Sequence, residues 1–145
     1  MDPLLLIRRF GILTSCLLGL GLAACSALVG PTYASRPGVL EPPSSPSVTL
    51  PDTVAVDSDF AISLETSGSG CNTIGTTEIK MVDDHTTEVR PWDYAQVNAT
   101  VCTAVYKLFD HHATLRFAKT GIATVHVIGQ AGGGTSEVTR TVVVR

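Results

Sequence analysis

From Val48 to Arg145 the chain alternates apolar and polar residues at period two, and no other feature of the sequence limits its fold as strongly. Phe60, Ile62 and Leu64 fall on one face of "FAISLE", and Ala123, Val125 and Val127 on one face of "IATVHV". "ATLRFAKTG" sends Ala113, Leu115 and Phe117 inward and Thr114 and Arg116 outward. Val48, Leu50, Val54 and Val56 read as the inward positions of the opening segment, Ile79 with Met81 as a further candidate as those of a later one, and Val138, Val142 and Val144 as one side of the last. Turn-forming runs separate these segments: Pro51-Asp52, Asp57-Ser58-Asp59, Ser67-Gly68-Ser69-Gly70, Lys119-Thr120-Gly121 and Gly132-Gly133-Gly134. Short alternating strands at such intervals predict an all-β domain over 48–145, an antiparallel sandwich of about seven strands.

One stretch reads two ways. "DYAQVNATVCTAVYKLF" spaces Val97, Val101, Val105 and Leu108 by three and four residues. That spacing fits a short helix crossing between sheets, and equally a loop followed by a strand, over residues 95–110. The phrase "LRFAKTGIATVHVIG" resembles the penultimate strands of bacterial immunoglobulin-like domains, with an aromatic, a short glycine turn and an alternating strand. The resemblance implies an immunoglobulin-like fold and no binding site.

The N-terminus is organised differently. "MDPLLLIRRFGILTSCLLGLGLAAC" carries Arg8 and Arg9 ahead of an apolar run, Phe10 to Leu22, of about 13 residues. That is the length of a signal-peptide core and short for a membrane span; counting on to Val29 leaves a signal-anchor helix as the alternative. Leu22-Ala23-Ala24-Cys25 resembles the lipobox of bacterial lipoproteins. The resemblance implies a signal-peptide helix over residues 1–24 that is removed, and a diacylglyceryl and acyl (palmitate-type) lipid on Cys25. Two or more chains bury enough methylenes, at about 0.8 kcal/mol each, to hold a protein at a bilayer. It further implies a bacterial cell-envelope location, with Ser26 favouring the outer membrane over the inner, facing periplasm or surface. Residues 25–47, rich in proline and serine, read as a disordered linker reaching up to ~70 Å.

On the lipobox resemblance, of the four cysteines Cys16 is expected to leave with the signal and Cys25 to take lipid. Cys71 and Cys102 remain as an even pair in an exported domain, for which a structural disulfide is the expectation. A net charge of −3 gives no electrostatic basis for nucleic-acid binding.

His85 in "DDH" and His111 and His112 in "DHH" are the weak metal candidates. Zinc needs three or four converging ligands, and both clusters read as polar turns without one. Neither a G-x-S-x-G elbow nor an H-E-x-x-H pair occurs, and the glycine runs lack the P-loop ending. Trp92 and Tyr94, read as aromatics of a proline-containing connection in "RPWDYAQ", are the candidate contact residues, although Trp92 also suits packing over the end of the core. The expectation is therefore a non-catalytic binding or structural module without cofactor, anchored to a membrane and serving an unidentified protein or other envelope partner. No catalytic domain is expected after the last strand. The rivals are an inhibitor or small-ligand carrier, and a metal-binding or hydrolytic envelope protein built on the Asp/His clusters.

Overall fold

The computed structural model describes residues 30–40 and 48–145. The signal segment 1–24, Cys25 and linker residues 26–29 and 41–47 lie outside the described residues. The described chain is all-β, with no helix: β1 (Tyr33–Pro37), β2 (Val39–Leu40), β3 (Val48–Thr49), β4 (Thr53–Val54), β5 (Phe60–Gly68), β6 (Asn72–Asp83), β7 (Thr86–Gln96), β8 (Lys107–Leu115), β9 (Gly121–Ala131) and β10 (Gly134–Val144).

These strands join into one sheet that curls around a single core. On one side β6 pairs β7, β7 pairs β9, and β9 pairs β10 along its whole length. On the other, β5 pairs β8 from Phe60↔Leu115 to Gly68↔Lys107, with β3 on its second edge. Inward positions follow the alternation read from sequence: Ile62, Leu64, Leu115, Ala123, Val125, Val127, Val142 and Val144 are all buried. The stacked rings of Phe60 and Phe117, 5.9 Å apart, close one end. Removing such side chains from water, at roughly 25 cal/mol per Å² of apolar area, is what holds the two sides together. The β9–β10 hairpin turns on Gly132 and Gly133, at φ 56° and 85°. Two adjacent residues in the left-handed region suit glycine and match the twist of the flanking strands.

Several sequence expectations are corrected. Residues 48–145 hold eight of the ten described strands, near the seven expected, but the pairing is mixed rather than antiparallel throughout, since β2/β9, β4/β10 and β7/β9 run parallel. The proposed linker is not wholly outside the fold: residues 33–37 and 39–40 are strands. β7 and β9 lie together only at Thr86–Val89 and then diverge; β1 fills the gap against β7, and β2 bridges β9 and β5. Gly38 sits at the fork, donating its N–H to Pro91 O at 2.8 Å and accepting from Gln130 N at 2.9 Å. A Cβ there would come within 2.5 Å of Thr66 Cγ2, so the fork admits only glycine without rearrangement.

Two further corrections concern the sites. "DHH" is not a turn; Asp110, His111 and His112 lie within β8. Trp92 is not in a connection but inside β7, next to Pro91. A proline cannot donate to a ladder, and β6 shifts register opposite it, between Ile74 and Thr77. Residues 95–110 resolve as the end of β7, an irregular connection over 97–106 and the start of β8, with no helix. Val56, read as inward, is 36% exposed because the chain turns at Asp57, whose φ is 57°.

Candidate functional site

Successive residues of a strand point to opposite faces, so Trp92 and Asp93 of β7 serve two different places. Asp93 points inward and is wholly buried. Its Oδ2 accepts from Thr66 Oγ1 at 2.8 Å, and its Oδ1 lies 3.0 Å from His111 Nε2. Thr66 Oγ1 also lies 3.1 Å from Nε2, and Thr77 Oγ1 is 3.2 Å from His111 Nδ1. The network is complete with Nε2–H donating to Asp93 and Nδ1 accepting from Thr77. Thus β5, β6, β7 and β8 each place one polar side chain in it, and the Gly38 backbone covers it: a Cβ on Gly38 would sit 3.3 Å from Asp93 Oδ2.

Thr77, His111 and Asp93 offer hydroxyl, imidazole and carboxylate, but Thr77 meets Nδ1 and the carboxylate meets Nε2, the reverse of a hydrolytic triad. Thr66 and Asp93 are wholly buried and His111 is 2% exposed. What the arrangement does chemically is satisfy every member of a buried polar cluster, which fixes β5, β7 and β8 relative to one another.

The other histidines stand apart from it. His85, at the tip of the β6–β7 hairpin, donates its backbone N–H to Asp83 Oδ1 at 2.8 Å; its Nε2 lies 3.1 Å from Thr120 O. Lys119 pairs with Asp84 beside it, so the hairpin tip is tied to the β8–β9 turn. The His85 N–H bond, followed by the Thr86 hydroxyl, holds the Asp83 carboxyl below its ordinary value, and the bond to Asp84 raises the Lys119 ammonium above its own. His112 faces solvent and pairs loosely with Asp110 at 3.4 Å. His85, His111 and His112 are not brought together, and among the described residues no three His, Cys, Asp or Glu side chains converge as metal ligands.

The outer face of β7 is different. Trp92 is half-buried and lines an open cleft of about 410 Å³, with Pro37, Arg90, Ile128, Gln130 and Glu137 around it. Its Nε1 is shielded from solvent and has no hydrogen-bond acceptor among the described residues. Tyr94, 37% exposed, follows two residues on along the same face. The β1/β7 register, with Tyr33 opposite Gln96 and Ser35 opposite Tyr94, sets Tyr33 diagonally beside Tyr94. Tyr33 is 45% exposed, so Tyr33, Tyr94 and Trp92 make one aromatic strip running into the cleft.

Cys71 and Cys102 form a disulfide joining the β5–β6 turn to the 97–106 connection. Gly70 N donates to Thr103 O beside it, and Gln96 N to Cys71 O, so the end of β7 that carries Tyr94 is pinned to the β5–β6 turn.

Sequence reasoning found Trp92, Tyr94 and the cysteine pair but missed Tyr33, Thr66 and Asp93. Tyr33 lay in the supposed linker. The inward position of His111 had a signal: extending the alternation back from Leu115 through Ala113 reaches it. Asp93 carried none, because an acidic residue between two aromatics reads as an outward one. Comparison with family models, curated proteins and solved structures finds no match for this chain.

Proposed function

We propose that the protein is a lipid-anchored bacterial envelope lipoprotein, attached through Cys25, whose β-domain is a non-catalytic binding module. The observation that carries the binding reading is the strip of Tyr33, Tyr94 and Trp92 beside a cleft of about 410 Å³, built on a strand whose other face is locked by buried hydrogen bonds. Exposed aromatics on a rigid element are the side chains that dominate binding energy at protein contacts, and rigidity limits the entropy lost on association. The anchor rests on Leu22-Ala23-Ala24-Cys25. The domain is an immunoglobulin-like sandwich in a modified form. In support, its first edge is shared between β3 on β5 and β4 on β10, and the β5–β8 pair faces β9–β10 across the core.

Two measurements test this. Metabolic labelling with a fatty acid should mark the wild-type chain and not Cys25→Ala; label that persists in the variant refutes the anchor. A photo-crosslinker at Tyr94 should capture a discrete envelope partner, and Trp92→Ala should abolish the adduct while leaving the unfolding midpoint in place. An adduct unaffected by Trp92→Ala refutes the binding face.

A further inference from the structure

Strand β6 is twelve residues long and, among the described residues, pairs only β7, so its second edge is open. A long open edge is a template for another strand unless it is protected. Its apolar side chains are not covered: Ile79, Met81 and Val82 are 45%, 48% and 50% exposed. Ile79 stands opposite Val89, which is fully buried, so the core's own face runs out to this edge and stops half-covered.

We propose that β6 is the contact of a two-fold homodimer, two copies pairing antiparallel about Ile79 to make one sheet through both protomers. The sequence of the strand selects both the occupant and the register. Pairing about Ile79 sets Ile79 against its own copy, Met81 against Thr77, and Glu78 against Lys80 twice. The neighbouring registers that keep the apolar face inward centre on Glu78 or on Lys80, and each places like charges directly opposite, which destabilises a pair. Glu78 has no ion pair among the described residues, and Lys80 reaches only Glu88, at 3.9 Å with 70% of its side chain exposed, so both are available. The regular part of β6 also has Ile79 at its midpoint: register breaks bound it after Ile74 and after Met81, leaving Thr77–Met81 evenly paired with β7. A two-fold interface must be self-complementary in this way, residue i meeting j as j meets i. β8 lies in the facing part of the sheet, touching β6 through His111 and Thr77, and does not pair with it.

Charge exchange in the full chain, purified in detergent and weighed by sedimentation equilibrium, tests the proposal. The wild type should be dimeric. Glu78→Lys or Lys80→Glu turns both attractive pairs repulsive and should weaken the dimer by roughly tenfold or more. The double exchange Glu78→Lys/Lys80→Glu restores complementarity and should restore the dimer. Ile79→Cys should cross-link to its own copy under oxidation, whereas Thr141→Cys on β10 should not; this readout is independent of the charged variants. A monomeric wild type, a dimer indifferent to the single reversals, or reversals that the exchange fails to rescue would each overturn the proposal. Cross-linking of Ile79→Cys to a different protein would overturn it in favour of a heterologous strand.

Discussion

Replacing His111 with alanine isolates the work of the buried network. Asp93 is wholly buried and receives hydrogen bonds from Thr66 Oγ1 at 2.8 Å and from the His111 ring at 3.0 Å. In His111→Ala only the Thr66 donor is left, and a buried carboxylate stripped of its main partner costs about 3–5 kcal/mol. Asp93→Ala is different. The Thr66 hydroxyl, already 3.1 Å from Nε2, can turn its proton to that nitrogen, and Nδ1–H then donates to Thr77. The remaining loss is a hydrogen bond and a small cavity, about 1–3 kcal/mol. The double variant should fall short of the sum by about 1–3 kcal/mol, because the two side chains act on each other. Urea unfolding with the disulfide intact measures all three, provided the slopes agree. A cost for His111→Ala below about 1 kcal/mol, or strict additivity in the cycle, would refute the reasoning, since either means the pair contributes nothing jointly.

Other outcomes follow from the same structure. Cys71→Ser/Cys102→Ser opens a loop with a sequence separation of 31, and by the chain-entropy model should cost about 3–4 kcal/mol in chemical denaturation. A chain begun at Val48 loses β1, β2 and the buried Leu40, and uncovers Thr66 and Asp93; amide exchange along β7 should accelerate while the β9–β10 hairpin keeps its protection. Asp83 is held below its ordinary value of 3.8, so its contribution is present above that pH and is lost as pH falls through the lower folded value. Asp83→Asn should therefore be less stable than wild type near neutrality and equal to it in acid, as urea midpoints across pH would show. Lys119 has the opposite sign: its contribution is full below 10.5 and is lost as pH rises through the raised folded value, a dependence that Lys119→Met should remove.

The strands that are easiest to read are those with one face in the core. Phe60, Ile62 and Leu64, or Ala123, Val125 and Val127, alternate because a shift of one residue would expose the whole set. Tyr33–Leu40 carries no such pattern: "YASRPGVL" sends only Leu40 deep into the core, and its pairing depends on a glycine at a fork that nothing local announces. β6 shows only in part, through Ile79 and Met81, since its inward positions end at an open edge and both side chains stay half-exposed. The site divides along the same line. Trp92 and Tyr94 are visible as aromatics close in sequence, whereas Tyr33 joins them only through the β1/β7 register, and Asp93 meets Thr66 and His111 only once β5, β7 and β8 have been brought together.

The placement of β1 and β2 also sets an order of events. Both emerge first from any machinery that delivers the chain from its N-terminus, yet Tyr33 pairs with Gln96, and Val39 must wait for Gln130. Pairings so distant along the chain raise the entropy of loop closure and slow folding. The fork at Gly38 has its second wall only once β9 is in place, so closure over the buried Thr66 and Asp93 depends on one of the last strands of the chain.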